Sequence, residues 1–139
     1  MREYIFHGKR VDNGEWIEGY LGYNKVRKQY YIMDDVDSFP IPVHKESVGQ
    51  YTGITDKNGR KIFEGDIVIA VIYRAYGCSQ QIRRETSIVG YDSIGVLSLK
   101  DKDGVWNDFM YELSLSGVIE DYSFEVIGTV FENADLLEG

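Results

Sequence analysis

One cysteine, two histidines and two prolines are all that the 139 residues offer of the residue types that most often build stapled or metal-bound folds. Cys78 has no internal partner, so a disulfide framework is excluded and a reducing, cytoplasmic setting is the expectation. His7 and His44 stand far apart and far from Cys78, so no zinc pattern exists. No run approaches the roughly 18 consecutive apolar residues of a membrane helix. Met1-Arg2-Glu3-Tyr4 passes at once into a strand-like run rather than an apolar leader, so neither a membrane span nor a secretory signal is expected. Alanine is scarce as well, which weakens any helical reading.

What is present points to strands. The chain is 43% hydrophobic and 14% aromatic, with eleven tyrosines and fifteen glycines. Three Asn-Gly or Asp-Gly pairs, Asn13-Gly14, Asn58-Gly59 and Asp103-Gly104, lie between β-like flanks. Such pairs adopt the positive φ angles of tight hairpin turns and are the strongest short-range hairpin cue. Ile67-Val68-Ile69-Ala70-Val71-Ile72-Tyr73 does not alternate and is expected as a strand buried on both faces. The polar stretch from Tyr76 to Glu85 reads as a loop, and Ser114 to Tyr122 as ambiguous with a helical turn. The expectation is a mostly-β protein, with residues 1–60 as a small N-terminal β-subdomain packed on a C-terminal SH3-like β-barrel over 61–139.

The net charge of −8 is unevenly placed. Residues 1–60 hold nine Lys/Arg and nine Asp/Glu, and residues 61–139 hold six and fourteen, so the second part carries the whole −8. From 101 onward one base, Lys102, faces ten acids. Direct binding to nucleic-acid phosphates is disfavoured, since it needs clustered cations. The clusters Lys25-Val26-Arg27-Lys28 and Arg83-Arg84 are short.

Three segments carry a family resemblance. The first runs from Tyr4-Ile5-Phe6-His7-Gly8-Lys9-Arg10 through Asn13-Gly14-Glu15-Trp16 to Gly19-Tyr20. The second runs from Ser47-Val48-Gly49-Gln50-Tyr51-Thr52-Gly53 through Asp56-Lys57-Asn58-Gly59 to Ile62-Phe63-Glu64-Gly65-Asp66-Ile67-Val68. The third is Glu125-Val126-Ile127-Gly128-Thr129-Val130-Phe131-Glu132-Asn133, ending in Leu136-Leu137. Together they resemble the YopX-like family of small phage and prophage proteins. The resemblance implies a mostly-β chain with an SH3-like C-terminal part and a variable insertion over 74–122. It brings no catalytic residues and no cofactor. The chain departs from the family pattern at His7 (an arginine is expected), Thr129 (asparagine) and Ala134 (proline).

A search for chemistry returns little. Asp101-Lys102-Asp103-Gly104 resembles part of a calcium loop, but placing Gly104 sixth puts Leu99 first and Met110 twelfth, and neither side chain ligates calcium. No nucleophile elbow or phosphate-binding loop is present. Asp34, Asp35 and Asp37 read as a solvated acidic loop. The candidate contact surface is instead the segment after the acidic turn. Alternation from Val105 to Leu113 sends Val105, Asn107, Phe109, Tyr111 and Leu113 toward a core. Trp106, Asp108, Met110 and Glu112 go to the other face, beside Asp101 and Asp103. Large apolar groups among carboxylates suit a protein partner. The expected function is therefore that of a non-enzymatic phage or prophage accessory protein that binds a host or phage protein. The alternative is a nucleic-acid-associated protein or a DNA mimic.

Overall fold

The computed structural model describes residues 5–33, 39–76, 79–91, 97–101, 103, 106–109 and 119–138. The chain is mostly β. It divides into two compact units, Met1–Gly53 and Ile54–Gly139. The Asn58-Gly59 turn and the strand after it therefore fall in the second unit. Among the described residues no helix is long and apolar enough to cross a membrane.

The first unit holds β1 (Phe6–Lys9), β2 (Trp16–Asn24), β3 (Gln29–Met33), β4 (Ile41–Val43) and most of β5 (Gly49–Thr55). Asn13-Gly14 turns β1 into β2, and the register runs antiparallel from Phe6 opposite Gly19 to Lys9 opposite Trp16. β2 continues against β3, and β3 against β4, in the sheet order β4-β3-β2-β1-β5. The end of β1 also reaches β4. Val11 N donates to Pro42 O at 3.0 Å, His44 N donates to Lys9 O at 2.9 Å, and Arg10 bridges Val43. Ser47 locks this join, accepting from Lys9 N at 2.8 Å while its hydroxyl donates to His44 O at 2.6 Å. Ile32 and Val43 are fully buried beneath it. Gly19 is required where β2 crosses β3, because a Cβ there would collide with the Met33 carbonyl.

The second unit contains β6 (Lys61–Phe63), β7 (Asp66–Tyr76), β8 (Ser79–Tyr91), β9 (Leu97–Lys100), β10 (Trp106–Phe109), β11 (Ile119–Thr129) and a one-turn helix α1 (Val130–Asn133), followed by a 3₁₀ turn over Ala134–Glu138. Five of these strands form an antiparallel sheet in the order β10-β9-β8-β7-β11. Its core is Ile62, Val68, Ala70, Val89, Leu99, Phe124 and Val126. At the start of β7, Ile67 and Val68 point to opposite faces and both are fully buried, as the unalternating apolar run requires.

Two expectations are corrected. Tyr76 to Glu85 does not form a loop: β8 pairs with β7 from Tyr76 opposite Ser79 to Ile67 opposite Ile88. A ladder of backbone hydrogen bonds does not need apolar side chains, so polarity alone misread it. The closed barrel is also absent among the described residues, where the sheet is open and no pairing joins β10 to β11. The chain there is spent on a long β7–β8 hairpin arm rather than on a short return to the first strand. Ser114 to Tyr122 divides: β11 begins at Ile119, and residues 111–118 lie outside the described residues.

Candidate functional site

The acidic segment proposed from sequence is only partly placed. Asp101 follows β9, and its Oδ1 accepts from Asp103 N at 2.9 Å, a turn in which Asp103 is exposed. Trp106 and Asp108 lie on β10, at the edge of the five-stranded sheet. Trp106 stands opposite Lys100 and Asp108 opposite Leu99, so two steps on β10 match one on β9. This bulge interrupts the strict two-residue alternation along the segment. Met110 and Glu112 lie outside the described residues.

The fold brings another set of charged groups together in the second unit. Asp56 is 6% exposed and organises the turn between β5 and β6. Its Oδ1 accepts from Asn58 N and Arg60 N, each at 2.9 Å, and its Oδ2 accepts from Val126 N at 3.0 Å. Burial works to raise the Asp56 pKa. The three backbone donors and the Arg60 charge outweigh burial and hold it below the usual carboxylate range. The Arg60 guanidinium reaches Val126 O at 3.4 Å, and Lys57 N donates to Phe124 O at 2.9 Å. One aspartate thus fastens the hairpin turn to β11, some 70 residues further along the chain.

Asp66 is 2% exposed and accepts from Phe63 N at 2.8 Å across the β6–β7 turn. Gly65 gives that turn its shape with φ of +92°, while its N–H donates to Val89 O and its carbonyl accepts from Val130 N. Burial pushes the Asp66 carboxyl up to about 7, against the Phe63 N–H and the Arg60 charge, with the Asp56 charge adding to the rise. Asp66 thus changes charge near neutrality, while Asp56 stays ionised. Sequence reading treated both as turn residues. The Asp-x-Asn-Gly spacing was the one available signal for Asp56, and burial of Asp66 has no local signature.

In the first unit, His7 lies against Trp16 with ring centroids 4.6 Å apart and tilted by 41°. Burial lowers its pKa to about 4, with Glu18, its cross-strand neighbour, opposing the fall. Among the described residues no group of three His, Cys, Asp or Glu is arranged to hold a metal ion.

A family model described as YopX protein matches residues 6–138. This chain belongs to the YopX family. No curated protein matches it significantly. The match covers the Asp56 turn, Asp66 and α1, and the structure gives a physical account of two positions at which the sequence analysis expects a different residue. Thr129 is the N-cap of α1: its hydroxyl accepts from Glu132 N at 3.2 Å, a task asparagine also performs. Ala134 has φ of −55°, inside the range that proline holds.

Proposed function

We propose that this YopX-family chain is a non-enzymatic accessory protein of a phage or prophage, working in the host cytoplasm by docking on a basic surface of a host or phage protein. The observation that carries the reading is charge segregation. Residues 1–53 contain seven Lys/Arg and eight Asp/Glu, and residues 54–139 contain eight and fifteen, so −7 of the −8 belongs to the second unit. The buried acids of that unit serve its own backbone, whereas Asp103 is exposed in the turn before an edge strand. We assign the contact surface to Asp101, Asp103, Trp106, Asp108, Met110 and Glu112. The SH3-like curl of 61–139, with 74–122 as the variable insertion, is part of the same proposal. It is supported by five antiparallel strands and by a bulge between Val126 and Gly128 that bends β11.

The test compares affinity capture from host cells by the wild type and by the triple variant Asp101→Lys/Asp103→Lys/Asp108→Lys. A stoichiometric partner held by the wild type, lost on charge reversal and recovered with purified components supports the reading. Release of that partner by duplex DNA would mark the acidic surface as a DNA mimic. Failure to recover a stoichiometric partner, or equal recovery by the variant, overturns it.

A further inference from the structure

The first unit carries a surface of the opposite character. β2 pairs with β1 only as far as Gly19, and from Tyr20 to Asn24 its partner is β3 alone. β4 flanks β3 as far as Tyr30, which stands opposite Tyr23, so the Lys25–Lys28 turn extends about one rung past the sheet. It is a shaped turn. Asn24 Oδ1 accepts from Val26 N and Arg27 N, each at 3.0 Å, and Lys28 takes the left-handed conformation at φ of 52°. Residues 23–28 are all exposed, with Val26 at 93%.

The chain has no acidic residue between Glu18 and Asp34, so residues 19–33 carry three positive charges (Lys25, Arg27, Lys28) and no negative one. Among the described residues none of these three has a side-chain partner, whereas Arg10 is held by Asp12 and Lys57 by Glu125. Aromatic surface adjoins the cations. Tyr23 is half exposed while its ring lies 4.6 Å from that of Tyr30.

We infer that the tip of the β2–β3 hairpin grips single-stranded nucleic acid, with Lys25, Arg27 and Lys28 on phosphates and Tyr23 against a base. Unpaired cations alone would serve an acidic peptide equally well. A half-exposed ring beside them favours bases, whose flat faces stack on aromatic side chains whatever the sequence. The net charge of the chain does not forbid this. At about 0.1 M salt the Debye length is about 10 Å, so a phosphate at the tip responds to the local cations. Along the sequence the basic clusters are short, which disfavours direct binding. Four consecutive residues suffice when a shaped turn exposes all of them together. The inference does not depend on the acidic surface of the second unit.

The experiment is fluorescence anisotropy of a labelled oligo-dT of about 15 nucleotides with the full chain at about 20 mM salt. Saturable binding is expected, weakening with salt at a log–log slope near −2, which is about 0.7 for each of three cations. Lys25→Ala/Arg27→Ala/Lys28→Ala should weaken it by about tenfold or more, and Tyr23→Ala by about fivefold. Circular dichroism melts identify any variant that has lost its fold, and the wild-type salt slope tests the proposal without a variant. Absence of binding, a slope near zero, or an unchanged affinity in a folded triple variant overturns it. Competition by duplex DNA or polyglutamate as effective as that by the unlabelled single strand also overturns it.

Discussion

Burial shifts titration in both units, and in opposite directions: it lowers His7 in the first and raises Asp66, and with it Glu64, in the second. In the first unit, His7 is desolvated against Trp16 and resists protonation. In the second, Asp66 is desolvated beneath the β6–β7 turn and resists ionisation. Burial favours the neutral form of both, yet they bear on stability with opposite signs. The depressed His7 pKa contributes stability that is present above about pH 6.5 and is lost as pH falls toward 4. The raised Asp66 pKa contributes stability that is present in full below about pH 4 and is lost as pH rises toward 7. Between those limits one unit gains with pH what the other loses, so a melt of the whole chain understates both. Asp56 shows what separates an ionised buried acid from a neutral one. It has three backbone donors where Asp66 has one, and the donors decide the charge state.

The largest break in this comparison should come from Asp56→Ala. It strands the N–H groups of Val126, Arg60 and Asn58, and a loss of roughly 3 kcal/mol or more is expected in urea unfolding. Amide exchange should accelerate in 54–139 and leave β2 and β3 protected; equal acceleration throughout would show that the units unfold together. Gly19→Ala is the matching blow to the first unit, expected to cost about 2 kcal/mol because the added methyl meets the Met33 backbone. Its exchange signature should be the reverse. Asp66→Asn keeps an acceptor for Phe63 N and removes the charge. It should gain on the order of 1–2 kcal/mol over the wild type at pH 8 and nothing at pH 4, and equal gains at both would refute the buried-acid account. The smallest effect is that of His7→Gln, which should flatten the rise in stability between pH 4 and 6.5 and expose the opposing Asp66 slope. An unchanged pH profile would show that His7 is not the titrating group.

How much of this was legible depends on the range of each cause. The turns at Asn13-Gly14 and Asn58-Gly59 are local, and both appear as antiparallel hairpins. The apolar run was legible in part: Ile67, Val68 and Ala70 are buried, while Ile69 and Val71 are half-buried, so one face of β7 is covered less fully than the unalternating pattern implies. β8 was illegible because its polar residues are held by pairing with β7, which no property of residues 79–85 reveals. The role of Asp56 was hidden because its third donor, Val126, is 70 positions away. In the acidic segment the charge and the turn at Asp101 were legible. The bulge between Trp106 and Asp108 depends on the register with β9 and could not be read from alternation. In the Lys25–Lys28 turn the composition was visible and the placement was not.

The join between the end of β1 and β4 has a consequence for how the molecule behaves in a crowd. A sheet margin with vacant amides and carbonyls is a template on which a neighbouring chain can polymerise. Along β4 the carbonyl of Pro42 is already taken by Val11, Pro42 has no N–H to give, and His44 has committed its own to Lys9. A strand arriving from another copy finds no partner there, which keeps this side of the aromatic-rich first unit from seeding fibres at high concentration.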